Sequence, residues 1–434
     1  MKNRAFQNLI FLSTLLFLAA PGLCQTQYSL TDLVTKADAL SETIKIAKED
    51  IYIAQQDKQR ALSVLIPRLT AFGSASEHRN EDVGNPDTLT AGVKFTQSFT
   101  LNGKEIIAFE VTKKTIESRE FSLETVRAEY LLQVSQAYYN ILSAQRAVEI
   151  AQSDVKRLSA HLNAVKEKLN VGNVTKTDLY RAQAELSRSQ TEQVKAENGL
   201  LQRKAALLNL VDIDADFTLA KGNSAGMDDF ITTQEEIRTA ALANRSEIKT
   251  ARKNLEIAKK NVTFKKSDYW PEISLEAGYK ETDISYDYTG PEIQYDTEDL
   301  YITGQLTFTL FDGGLRRAQI RQALSEQKKA ALALDLEEKK VILDSKVSYL
   351  DYATAKQSLI SLADELTSAQ ENFNAVKMQF KYGLADSIDM MDANTLLVTA
   401  QRRISDARYT FYLAVLKILH TRGDLTRFLL AAAD

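Results

Sequence analysis

The chain is written twice. Residues 30–69 and 234–273 align at an offset of 204, so that Ala37 meets Ala241, Ile44 meets Ile248, Ala54 meets Ala258 and Pro67 meets Pro271. Farther on, Gly103 of LNGK meets Gly313 of FDGG at an offset of 210. From there the offset is 211, with Gly172 on Gly383, Asp178 on Asp389, Ala182 on Ala393 and Leu186 on Leu397. A repeat of this length means that each half is one structural unit whose apolar faces are completed by its neighbour. The step from 204 to 210 places about six extra residues between the proline and the glycine of the second half, which predicts a longer loop there.

Each proline opens a stretch that alternates with period two. In 91–101, Ala91, Val93, Phe95, Phe99 and Leu101 alternate with polar or small residues; in 300–310, Leu300, Ile302, Leu306, Phe308 and Leu310 do the same. Partner strands are expected from Pro67 to about Glu77 and from Pro271 to about Thr282, joined by polar loops at 78–87 and 283–299. Alternating segments of about ten residues suit a transmembrane barrel. They equally suit two soluble hairpins, each laying one face on helices. If these strands cross a membrane, four cannot close a barrel, because open edges leave backbone groups unsatisfied in lipid. The chain would then have to assemble with copies of itself.

Long heptads follow the glycines. Val134, Ile141, Val148, Val155, Leu162 and Leu169 hold one position, and Ala137, Ala144, Ala151, Leu158 and Val165 the other. The second half repeats this with Tyr352, Leu359, Leu366, Phe373 and Phe380, then with Met390, Leu397, Ile404, Phe411 and Ile418 beyond Gly383. This is coiled-coil packing. Gly172 and Gly383 end the first helix of each pair, and the short loops force antiparallel hairpins over 104–210 and 314–421. At 1.5 Å per residue, 104–171 spans roughly 100 Å, 174–210 roughly 55 Å and an N-terminal helix over 36–66 roughly 45 Å. Two shorter helices end to end therefore match one long one.

Composition narrows the class. The net charge of -4 leaves no electrostatic footprint for nucleic acid. Lys2 and Arg4, the apolar run Leu9–Ala20 and the small residues Gly22 and Cys24 read as a signal peptide over 1–24, with a lipidated Cys24 as the alternative. The mature chain then divides into 25–220 and 221–434. No run approaches 18 apolar residues, so any crossing must be made of strands. The three histidines, His78, His161 and His420, are far apart, and no metal spacing, phosphate loop or nucleophile elbow is present. No enzyme activity and no cofactor are expected.

The proline-terminated first helix, the NG and DGG turns, and the tips VGNVTKTDLYRAQAEL (171–186) and YGLADSIDMMDANTLL (382–397) together resemble the TolC-like outer-membrane efflux protein family over about 400 residues. The resemblance implies a mainly α fold with a transmembrane β part: a homotrimer with a twelve-stranded β-barrel in outer-membrane lipid and an α-helical periplasmic tunnel. It implies a passive exit duct for efflux or type I secretion, working with a periplasmic adaptor and an inner-membrane pump of the RND, ABC or MFS kind. Asp389 and Asp392 match an acidic pore constriction, Thr177 and Asp178 match gate-closing contacts, and Gly172, Asn173, Gly383 and Leu384 match the adaptor-contact tips. The bland alternative for the acidic pair is a charge at a helix start. Two departures stand out: Ala385 replaces an arginine and Phe380 a tyrosine of the family's closing network. The rival reading of the whole chain is a soluble periplasmic coiled-coil protein, structural or adaptor-like.

Overall fold

The computed structural model describes residues 26–77, 87–220, 227–286 and 293–431. The expected signal peptide, Cys24, His78 and most of the first strand loop lie outside them. In chain order the elements are β1 (Thr26–Tyr28), α1 (Leu30–Leu40), α2 (Glu42–Ser63), β2 (Arg68–Ser76), β3 (Asp87–Thr100), α3 (Lys104–Asn170) and α4 (Lys176–Leu210). The second half follows with β4 (Phe217–Leu219), α5 (Gln234–Asn244), α6 (Ser246–Lys266), β5 (Glu272–Tyr286), β6 (Ile293–Thr307), α7 (Leu315–Tyr382), α8 (Ser387–Arg422) and α9 (Leu425–Ala431).

The expected N-terminal helix over 36–66 is two helices. Ser41 takes an extended ψ of 127° between α1 and α2, and Arg245, its equivalent at the same offset, does so between α5 and α6. Backbone bonds continue on both sides of each break, from Ser41 to the Ala37 carbonyl and from Lys45 to the Ser41 carbonyl. The kink therefore costs little in hydrogen bonding and needs neither proline nor glycine. Arg245 also holds the break in place, its guanidinium reaching Glu247 at 2.8 Å and Asp344 at 3.0 Å.

The kinks lie beside a belt about midway along α3. Here the short parallel pair β1–β4, the linker between the halves and α9 close on the long helices. Leu33, Leu131, Val134, Tyr138, Phe217, Ile237, Leu416 and Ile418 are fully buried in this core. Each such side chain stabilises the fold by about 1.5–3 kcal/mol. Tyr138 closes the belt with a hydrogen bond from its hydroxyl to the Ala220 carbonyl at 2.9 Å. On the strand side of the belt α2, α3, α6 and α7 pack in a row; on the other side α3 and α7 pair with α4 and α8. The length match between one long helix and two shorter ones is realised in both halves.

The strands form one antiparallel sheet in the order β2-β3-β5-β6, so the two hairpins join edge to edge. Six of the residues expected as the longer loop, 287–292, lie outside the described residues, and the described part of the second half is longer in strand, β5 having 15 residues against 9 in β2. Residues 283–286 and 293–299, expected as loop, are paired strand, with Asp283 opposite Asp296 and Glu281 opposite Glu298. The register sorts the sheet into two faces. One carries Leu69, Leu89, Val93, Phe95, Ile302 and Leu306, all exposed in the single chain. The other carries Lys94, whose ammonium meets Glu276 at 3.1 Å, and Tyr301, whose hydroxyl donates to Glu276 at 2.8 Å.

Gly92 allows β3 and β5 to approach: a Cβ there would lie 2.5 Å from the Tyr279 carbonyl oxygen. Gly92→Ala is therefore expected to destabilise the sheet by about 1–3 kcal/mol, lowering the thermal midpoint and the yield of chain in the outer-membrane fraction. Gly73→Ala, where the nearest atom is a carbonyl oxygen 3.8 Å away, is the control expected to match wild type on both measurements.

Candidate functional site at the hairpin tips

The α3–α4 and α7–α8 hairpins end in two closely similar turns. In the first, Gly172 adopts φ 79°, the Gly172 amide donates to the Leu169 carbonyl and the Asn173 amide to the Lys168 carbonyl at 2.9 Å. In the second, Gly383 adopts φ 78°, its amide donates to the Phe380 carbonyl and the Leu384 amide to the Gln379 carbonyl at 2.8 Å. Open space surrounds both glycines, so it is the left-handed backbone that requires them there. Leu384 is 80% exposed and the neighbouring Val171 70% exposed, which leaves an apolar side chain at the end of each hairpin.

The helices that return from the tips start in capping boxes. Thr175 accepts from the Asp178 amide at 3.3 Å, and the Asp178 carboxylate accepts from the Thr175 amide at 2.9 Å. Those bonds, the hydroxyl of Thr175 first and then its amide, hold the Asp178 carboxyl below the usual aspartate range. Asp386 accepts from the amides of Ile388 and Asp389 at 2.7 and 2.9 Å, while Asp389 accepts from the Asp386 amide at 3.0 Å. The acidic pair thus divides. Asp389 is engaged in its own helix start, as a charge at a helix start would be; Asp392, one turn along α8, is exposed and makes no hydrogen bond or ion pair among the described residues. Thr177 is exposed, and among the described residues neither it nor Asp178 bonds to the second hairpin.

Other contacts do join the hairpins, and apart from His161 and Phe380 they come from residues the sequence did not single out. Asp154 of α3 accepts from Asn394 of α8 at 2.7 Å and from Ser189 of α4 at 2.5 Å. Arg157 donates to the Asn394 side-chain oxygen at 2.9 Å. His161 pairs with Ser387 at 3.0 Å, and Lys168 donates to the Phe380 carbonyl. Burial, and then the charge of Lys168, push the His161 pKa down, so this imidazole is neutral at neutral pH. A signal was present: residues 154, 161 and 168 share one heptad row, directly before the apolar positions 155, 162 and 169.

Both halves of the chain, residues 33–211 and 237–420, match the outer membrane efflux protein family. The chain belongs to the outer membrane efflux protein family. It is 23% identical over 373 residues to the outer membrane protein TolC of Vibrio cholerae, covering 84% of this chain and 83% of that one. It is 22% identical over 331 residues to the alkaline protease secretion protein AprF of Pseudomonas aeruginosa, covering 73% and 67%. Its fold superposes on the CmeC outer membrane channel of Campylobacter jejuni with a TM-score of 0.79 at 17% identity, covering 91% and 86%. As a member of this family the chain is an outer-membrane exit duct for efflux or secretion, a conduit and not an enzyme. No described helix is long and apolar enough to cross a membrane.

The caps make a local prediction. Thr175→Ala removes a helix N-cap, which costs about 1 kcal/mol, and should speed amide exchange over residues 176–179 about fivefold while leaving the belt around Leu131 unchanged. Hydrogen–deuterium exchange read by mass spectrometry checks both regions.

Proposed function

We propose that three copies of this chain close their four-stranded sheets into a twelve-stranded barrel in the outer membrane, with twelve long helices forming a tunnel through the periplasm. The observation that carries this is the sheet itself. Near the rod one face is apolar and the other carries Lys94 and Glu276; farther out Glu281, Asp283, Asp296 and Glu298 stand on the apolar side, and the sheet is open along both β2 and β6, at the end of a helical rod roughly 100 Å long. An apolar face of this size is stable against lipid, and its edges are satisfied only by the sheets of other copies. The charged face, with Lys94, Glu276 and Tyr301, then lines water.

The duct takes cargo from an inner-membrane pump of the RND, ABC or MFS type through a periplasmic adaptor. The exposed tips, with Gly172, Asn173, Gly383 and Leu384, are the surface for that adaptor; the relative named for protease secretion supports type I secretion as one use. With no cofactor, the energy comes from the pump. In the trimer, Asp389 and Asp392 place six carboxylates around the axis at the periplasmic entrance, which favours cations. Thr177 and Asp178, at the first tip, are the positions that hold this entrance shut.

Purified protein should migrate as a heat-modifiable trimer and give cation-selective steps in planar lipid bilayers. Recovery as a periplasmic monomer would refute the assembly. Because Asp389 also caps its helix, Asp392→Asn is the cleaner test of the ring. It should reduce the cation-to-anion permeability ratio severalfold with exchange at the tip unchanged, and an unaltered ratio would remove Asp392 from the constriction.

A further inference from the structure

Of the polar contacts between the two hairpins, those nearest the tips form an ordered row. Asp154, His161 and Lys168 lie seven residues apart on α3, about 10 Å from one to the next. Opposite them on α8, running the other way, are Asn394 and Ser387, also seven apart; across the turn the next partner is Phe380 at the end of α7. Each step down α3 is matched by an equal step back along the second hairpin.

The row is set into an apolar cluster that includes Leu162, Val165, Phe373, Met390 and Leu397. A carboxylate in such a place is costly unless it is hydrogen-bonded, and replacing buried ionic groups with packed apolar ones is often stabilising. Maximum adhesion between the hairpins would therefore favour leucine at these positions. The polar rungs have a different property. When the hairpins separate, Asp154, Arg157 and Asn394 exchange protein partners for water, whereas a leucine seam would expose apolar surface. The rung of this row nearest the belt is incompletely bonded. Nη2 of Arg157 is buried without a hydrogen bond, 3.5 Å from the Asp154 carboxylate. A groove of about 250 Å³ lined by Asp154, Ser189, Asn394 and Arg402 runs alongside it.

We infer that this row, Asp154–Asn394, His161–Ser387 and Lys168–Phe380, is the releasable seam that holds the two hairpins of each chain together in the closed tip and sets their register. The inference rests on the export-duct reading, since a releasable seam is needed only where hairpins part. It adds closing contacts within one chain, 4 to 18 residues before Gly172 on α3, and gives Phe380 a partner through its backbone carbonyl.

The test uses the full-length assembled protein with spin labels at Val171→Cys and Leu384→Cys, diluted with unlabelled chains, and reads the distance between the two tips by pulsed electron resonance. Asn394→Ala, which strips the Asp154 carboxylate of its cross-hairpin partner, should add a second, longer population. Ser387→Ala should do so more weakly. The apolar replacement Asp154→Leu, Arg157→Leu, Asn394→Leu should keep a single short distance. An unchanged distribution in Asn394→Ala, or a longer one in the apolar triple variant, would overturn the seam. This readout does not depend on conductance, so a chain that makes no channel would fail the bilayer test without deciding this one.

Discussion

A sheet that enters hydrocarbon has to pair every backbone N–H and C=O, because no water is there to take their place. In the proposed barrel, that requirement sets most of the chain's architecture. Its four strands satisfy their inner neighbours and leave the outer edges of β2 and β6 open, so the single chain is an unfinished wall. The apolar face built on Val93, Phe95 and Ile302 has no partner among the described residues, and the helices, which could have covered it, lead away along the rod instead. Assembly with further copies is then a condition of the sheet being in a membrane at all.

The rod obeys a complementary rule. A helix of 67 residues has to be packed along its whole length, and α3 meets this with α2 and α6 on one side of the belt and α4 and α8 on the other. The chemistry of packing changes along it. At the belt the contacts are apolar and closed, with Leu131, Val134 and Ile141 fully buried. Towards the tips the seam to the second hairpin becomes polar at Asp154, His161 and Lys168. Association that stays permanent is built from surface removed from water; association that has to be reversed is built from groups that water can solvate.

The duplication, the heptads and the tip glycines were legible because each is a pattern of many like residues. The heptad at 134–169 has no polar member, and a left-handed turn with open space around it requires glycine at 172 and 383. The kinks at Ser41 and Arg245 were not legible, since a single residue changes ψ with no breaker present. Strand at 283–286 and 293–299 reads as loop in the sequence because like charges face each other there, at Asp283 and Asp296 and at Glu281 and Glu298, and alternation of apolar with polar is lost. The capping boxes of Asp178 and Asp389 could be read from Thr or Asp three residues before, yet the functional reading drew notice first. The polar row of α3 was overlooked for the opposite reason: it lies one residue off the apolar stripe, where a charged side chain normally faces solvent.

The register of the sheet says how the unfinished wall is shaped. Arg68 and Glu272 are equivalent residues, each directly after its proline, yet Arg68 lies level with Glu276, four residues farther along β5. Two steps across the sheet thus displace equivalent points by about 13 Å along the strands. If equivalent prolines sit at one height around a common axis, every strand has to lean steeply against that axis, as strands of closed barrels do. If the proposed barrel closes, the duplication and the pairing pattern of a single chain already contain the pitch of the cylinder, and each further copy has its height prescribed by the slope of the one before it.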